Sequence, residues 1–446
     1  MRIGRWVIGI VAGLVLLAVL TVLAVTVFVD PNRYRGQIEA AVTRATGQPF
    51  NIEGDLDIAW YPWLAVRMGP SQFGAPEGAG GEPLVQWQSA RVGARLVPLI
   101  RGELIIDRVR LDEPRFFLRR DAEGRGNWEE VLAALKKPPT PPATGPRPPP
   151  GPQVAGFEVQ DGTLTYVDEA RGQQFTITDW QLEVGAWRSG ATVPVETELT
   201  WEAEHDEGEE VPIGVRLSAT ARVHVSDDAN DIDVFELAST SRVYGAPLPK
   251  AGVPVSMRLS RFAARLSPLD IAISEVAARV GEADVTASIQ AGESGPGLYV
   301  RGPLSVELPS LRRFLPTLGV KVPLPVDKTT IGALKLASMW EWNNGAVRVS
   351  GIDLHLDDTH FSGELSRTSS EDAVWTFALH GDKIDLARYI DIEKTSKKPF
   401  ELPLAALRAL KVQGELTFDE ASVADSGMKD VRMRVELADG AVKSSQ

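Results

Sequence analysis

Cysteine is absent from the 446 residues. That excludes thiolate nucleophiles, thiol redox chemistry and cysteine-based zinc sites. It does not argue against export, because a chain of this length can bury enough core to be stable without disulfides. A basic stripe is lacking too. Lysine and arginine total 47 against 60 aspartates and glutamates, a formal net charge of -13, with the acidic residues spread along the chain. Nucleic-acid binding and broad adsorption on anionic lipid both call for the opposite sign, so no nucleic-acid partner is expected. Phosphate loops and dinucleotide fingerprints are missing: Gly124-Arg125-Gly126 lacks the third glycine and the helical context. No catalytic constellation stands out. The chain reads as a non-enzyme without a cofactor.

Histidine is scarce, at His205, His224, His355, His360 and His380. His355 and His360 are five apart and face opposite ways on one regular strand. Asp353, His355 and Asp357 share a face and have ligand chemistry. A wet strand face opposite Ile352, Leu354 and Leu356 is the simpler account, so no metal site is assigned. The acidic run from Glu202 to Glu210 reads as a solvated loop. Asp227 to Asp233 fails as a calcium loop, because Ile232 occupies a ligand position and the required glycine and glutamate are missing.

What is present begins with one long apolar run, Trp6 to Val29, with Leu17 near its middle and neither charge nor proline inside it. At roughly 1.5 Å per residue such a helix spans a hydrocarbon core of about 30 Å. Arg2 and Arg5 precede it and Asp30 follows, which places the N-terminus in the cytoplasm and the rest across the membrane. The alternative is a cleaved signal peptide. Its apolar region would be shorter and would end in small residues, whereas this run ends Val27-Phe28-Val29.

After the run, Asp30 suits a cap, Pro31 a first helical turn and Gly47 a stop, and Tyr34, Ile38, Val42 and Ala45 recur at helical spacing. The spacing predicts a packing helix over 31–46. From Phe50 onward the period becomes two. Trp60, Trp63 and Trp87 suit either a membrane interface or core packing. Residues 136–152 are too proline-rich to pack and read as an extended linker.

Beyond the linker the alternation is strong. Val215, Leu217, Ala219, Ala221, Val223 and Val225 are apolar, while Arg216, Ser218, Thr220, Arg222 and His224 between them are polar. Antiparallel strands with one wet and one dry face produce this pattern. The forty glycines and thirty-one prolines suit many short strands and turns. A loose repeat relates Ser274–Val280 to Ser350–Leu356, each followed by strand and then by a short helix-like piece, Leu311–Leu315 and Leu386–Ile390. The predicted order is a cytoplasmic tail over 1–5, a transmembrane anchor over 6–29, a first exported region over 30–135, the linker over 136–152 and a repetitive β-rich region over 153–446.

The first third carries a set of landmarks. They are Asp30-Pro31 directly after the span, Thr46-Gly47, Ile52-Glu53-Gly54-Asp55-Leu56, Tyr61-Pro62-Trp63-Leu64, Pro98-Leu99-Ile100-Arg101-Gly102, Val109 to Pro114 and Gly126-Asn127-Trp128. In this order and spacing, over about residues 1–130, the chain resembles the AsmA family of bacterial envelope proteins. Leu386 to Val442 is similar to the family's later region. The resemblance implies a single-pass anchor in the bacterial inner (plasma) membrane and a periplasmic body: an elongated, curved antiparallel sheet, groove-like, with few short helices. It further implies a role in outer-membrane biogenesis. It extends to the TamB-like and bridge-like group, in which such a groove carries lipid tails. Family members usually run longer, so Gln446 is either a natural end or a truncation.

Two functions follow as expectations. In the first, the dry faces form an open groove in which phospholipid acyl chains lie against Val215, Leu217, Val223, Leu354 and Leu356. In the second, the same faces close into an ordinary core. The protein is then a structural or chaperone-like factor in the targeting or assembly of outer-membrane proteins, which become its partners. Periodicity does not separate the two, because a groove lining and a sandwich core share one pattern.

Overall fold

The computed structural model describes residues 30–59, 64–74, 82–94, 106–135, 154–186, 190–203, 213–226, 230–295, 297–320, 327–369, 374–389, 411–423, 426–438 and 441–445. The tail over 1–5, the anchor with Trp6, Leu17 and Val29, and the linker over 136–152 lie outside them. Among the described residues no helix is long and apolar enough to cross a membrane. The chain is mostly β with few short helices, and it divides into two compact units, 1–188 and 189–446.

In the first unit a 3₁₀ turn, Pro31–Tyr34, leads into α1, Arg35–Thr46. Asp30 accepts a hydrogen bond from the Asn32 N–H at 3.0 Å, and Gly47 ends the helix at φ 77°, where a side chain would be strained. Ile38 and Val42 on α1 pack against Phe50, Ile52 and Leu56, which are 7%, 2% and 1% exposed. Trp87 stacks on Phe50 at 5.8 Å and so belongs to this core. Tyr34 stays half-exposed. The helix also covers a strand edge. The backbone N–H groups of Phe50 and Ile52 donate to Thr43 Oγ1 and Glu39 Oε1, at 3.3 and 2.8 Å, which blocks that edge to other strands.

The first-unit strands are β1 Phe50–Ile52, β2 Leu56–Ala59, β3 Leu64–Met68, β4 Ser71–Phe73, β5 Val85–Trp87, β6 Ser89–Ala94, β7 Ile106–Asp112, β8 Arg115–Arg120, β9 Val154–Asp168 and β10 Gln173–Val184. A short helix, α2 Glu129–Leu135, lies between β8 and β9. Two ladders, β1–β4–β5–β8 and β2–β3–β6–β7, converge on β9. β7 and β8 run parallel to successive halves of β9, and β10 pairs antiparallel along its other edge. At the joint between those halves Glu113 and Asp161 take φ values of 49° and 52°.

The second unit is a single ladder. Its strands are β11 Thr192–Ala203, β12 Gly214–Val225, β13 Asp231–Tyr244, β14 Val253–Leu266, β15 Leu269–Val280, β16 Ala283–Ser294, β17 Gly297–Leu308, β18 Leu334–Asn343, β19 Ala346–Leu356, β20 Thr359–Arg367, β21 Trp375–Asp385, β22 Val412–Val423, β23 Ser426–Ala438 and β24 Ala441–Ser445. Neighbours from β11 to β21 pair antiparallel, and so do β22, β23 and β24. β22 lies parallel to β21, with Trp375 opposite Val412 and Asp385 opposite Ser422.

The expectation of an antiparallel sheet is therefore corrected at three pairs, β7–β9, β8–β9 and β21–β22. A tight turn can join only antiparallel neighbours. Here long connections return the chain to the starting end before the next strand is laid down. Mid-strand register shifts fall at Glu236, Glu275 and Gly351, all at positive φ. Each is an extra residue that bends its strand and raises the local twist.

The loose repeat takes physical form here. β15, β16 and β17 are followed by α3, Leu311–Thr317, and β19, β20 and β21 by α4, Leu386–Tyr389. The bulges at Glu275 and Gly351 occupy equivalent places in the two copies.

Candidate functional site: an uncovered apolar sheet face

Residues directly opposite one another in a ladder share a face, so the faces can be traced strand by strand. From β11 to β15, Thr197 faces Ala219, then Ser239, Met257 and Ala278. The row continues through Val285, Val306, Leu336, Leu354 and Phe361 on β16 to β20. It closes with Gly381, Phe418 and Val431 on β21 to β23. No charged residue interrupts it. At about 4.8 Å between strands, thirteen positions make a row of about 58 Å.

The five residues expected to face lipid all lie on this side. Leu354 is in the row itself. Leu217 and Val255 flank it through Ser241, and Val223 faces Val234, Phe262 and Ile273 in a second apolar row beyond the bulges. Val215, Leu217, Val223, Leu354 and Leu356 are all half-buried. Elsewhere on the face exposure is larger: Leu266 is 52% exposed, Leu298 and Trp340 44%, and Trp342 38%. Full burial is limited to positions such as Val193, Leu259, Val349 and Phe418, and to the end beside Phe314 of α3, where Val253, Ala283 and Leu308 are 4%, 3% and 4% exposed. Among the described residues, the cluster of packed buried side chains is the one under α1 in the first unit. Among the described residues no comparable cluster of packed buried side chains lies over the second-unit face.

The opposite face is polar and laced with ion pairs. Arg261 meets Asp233 at 2.7 Å, Arg265 meets Asp231 at 3.0 Å and Lys335 meets Glu307 at 3.4 Å. Arg279 hydrogen-bonds Asp284 at 2.7 Å and holds that carboxyl below the usual range. Such exposed pairs add little stability. They mark the face that meets water.

One end of the ladder is tied by a polar knot. Arg388 on α4 bonds Asp327 at 2.9 Å and Asp358 at 2.8 Å, and the Tyr389 hydroxyl donates to Asp357 at 2.8 Å. The Thr329 N–H, the Thr329 hydroxyl and then Arg388 hold the Asp327 carboxyl down at about 2. Burial, and then the Asp357 carboxylate, push the Tyr389 phenol up. Beside the knot a cleft of about 480 Å³ is lined by Lys383, Arg388 and Lys429 but equally by Asp358, Asp385 and Glu420. That balance selects no anion.

The sequence-level metal trio is rearranged. Asp357 accepts hydrogen bonds from the Ile331 and Gly332 N–H groups, at 2.8 and 2.7 Å, and so turns to the knot. His360 takes its place beside Asp353 and His355, because the chain turns back at Asp357-Asp358 and sets His355 opposite His360 on the next strand. The signal was the Asp-Asp turn between two alternating runs, which a single-strand reading passes over. The acidic run is described only at Glu202 and Ala203, and the Asp227–Asp233 stretch only from Asn230.

A family model for the AsmA family matches residues 1–402. The chain belongs to the AsmA family. The match reaches well beyond the landmarks of the first third and takes in most of the open ladder. Neither curated proteins nor solved structures gave a match to this AsmA-family chain.

Proposed function

We propose that this AsmA-family protein is a single-pass inner-membrane protein whose periplasmic sheet carries phospholipid acyl chains along its apolar face during outer-membrane biogenesis. The observation that supports it is the uninterrupted row from Thr197 to Val431 on a face without a second layer among the described residues. A core needs a cover, and a carrier needs an open one. An acyl chain of about sixteen carbons lying on this face would be desolvated on one side only. At about 0.8 kcal/mol per fully buried methylene, that gains about 6 kcal/mol per chain. The value is large enough to hold a lipid out of water and small enough to let it shift between similar rows. The action is passive: the head group stays at the wet edge, no bond is made or broken, and supply at the inner membrane sets the direction. The bulges at Glu236, Glu275 and Gly351 favour a curved sheet, which would wrap a chain more closely than a flat one.

Native mass spectrometry of the full chain tests this reading. Wild type and a Leu217→Asp/Leu354→Asp double variant share whatever lipid the anchor retains, so their difference reports the face. The expected result is phospholipid bound to wild type in excess of the folded double variant. Equal lipid on both would reject the carrier reading and leave a structural or assembly-factor role.

A further inference from the structure

On the polar face of the β19–β20 hairpin, three side chains converge in a way the lipid reading does not use. Asp353 and His355 are two apart on β19 and so share a face, and His360 on β20 stands directly opposite His355. The Nε2 atoms of His355 and His360 lie 3.2 and 2.8 Å from one and the same oxygen, Asp353 Oδ1. The imidazole rings stack nearly parallel, with centroids 4.3 Å apart and 9° between their planes. All three ligand atoms fall within 4.8 Å of one another. A tetrahedral zinc ion with bonds of roughly 2.0–2.1 Å needs ligand atoms about 3.3 Å apart, so small adjustments admit an ion between them.

We infer that Asp353, His355 and His360 form a binding site for a divalent transition-metal ion of the zinc class, which cross-links β19 to β20. Two imidazoles and one carboxylate suit zinc or copper rather than calcium or magnesium, which prefer all-oxygen sets. The site is pre-shaped by backbone pairing. The His360 N–H also donates to Asp382 on β21 at 2.9 Å, which fixes that residue's backbone from the far side. The three side chains are 43–58% exposed, so a fourth position remains open to water or to an external ligand. Lys335, which stands opposite His355 on β18, is drawn to Glu307. This inference does not depend on lipid carriage.

The test is a Zn²⁺ titration of the metal-stripped full chain by calorimetry, with Cu²⁺ paramagnetic resonance as a second readout. The variants are His355→Gln and His360→Gln, which keep exposed polar side chains and need only a circular-dichroism check of folding. His224→Gln, on β12, is the control. One saturable equivalent is expected, with nitrogen couplings from two imidazoles. Loss of a tuning partner beyond the first ligand shell commonly costs 10–100-fold in metal affinity, so loss of a ligand should weaken binding at least about tenfold in each variant and not in the control. No saturable uptake, or a loss below about tenfold in both variants, would overturn the site.

Discussion

The two units solve the problem of an apolar strand face in opposite ways. In the first, α1 lays Ile38 and Val42 over Phe50, Ile52 and Leu56 and lends Glu39 and Thr43 to the N–H groups of β1. In the second, the apolar rows run across β11 to β23 without such a layer among the described residues. The same alternation of residues thus yields a sealed core in one place and, among the described residues, an uncovered face in the other. A helix whose apolar stripe and edge-capping side chains match the strands beneath it makes the difference. Stability in the first unit comes from packing. In the second it comes from a continuous hydrogen-bonded ladder and from lateral contacts between cross-strand neighbours.

Truncation is the sharpest way to break that comparison. Leu56→Ala removes a fully buried side chain and should cost about 3 kcal/mol. Leu354→Ala, only partly buried in its row, should cost less, about 1 kcal/mol, because part of its surface already meets solvent. Urea unfolding with hydrogen-exchange readout of β1 and β19 separates the two. Equal costs would mean that the second face is sealed after all.

A smaller effect is expected where α1 guards the β1 edge. Glu39→Ala leaves the Ile52 N–H without its 2.8 Å partner and should cost about 1 kcal/mol. Exchange of that amide should accelerate, while amides of β12 to β20 stay unchanged.

The smallest effect concerns the knot at α4. The Asp327 carboxyl is depressed from 3.8 to about 2, so its contribution is complete above about pH 4 and disappears as pH falls towards 2. α4 should therefore loosen in that acid window, and Asp327→Asn should abolish the window while leaving the loosened state at neutral pH. Exchange or proteolysis near Leu386–Tyr389 follows it.

Much of this architecture can be read from residues. The alternation from Val215 to Val225 already states which side chains share a face, and β12 places them so. Asp30 and Gly47 mark the ends of the helical segment by cap chemistry. What alternation does not encode is what lies above the face, because Leu354 would alternate identically in a sandwich. Nor does it encode strand direction, so the parallel pairing of β21 with β22 is invisible in either strand's pattern. The histidine pair was hidden for a related reason. Its members meet only once the turn at Asp357-Asp358 is recognised.

The central claim, that the second-unit apolar face is open to lipid, is tested most directly by photo-crosslinking in membranes. A photoreactive residue is placed in turn at Leu217 and Leu336 on the apolar face and at Arg216 and Lys335, their immediate neighbours on the polar face. The account predicts adducts with labelled phospholipid at Leu217 and Leu336 and none at Arg216 or Lys335. Adducts at all four positions, or at none, would contradict it.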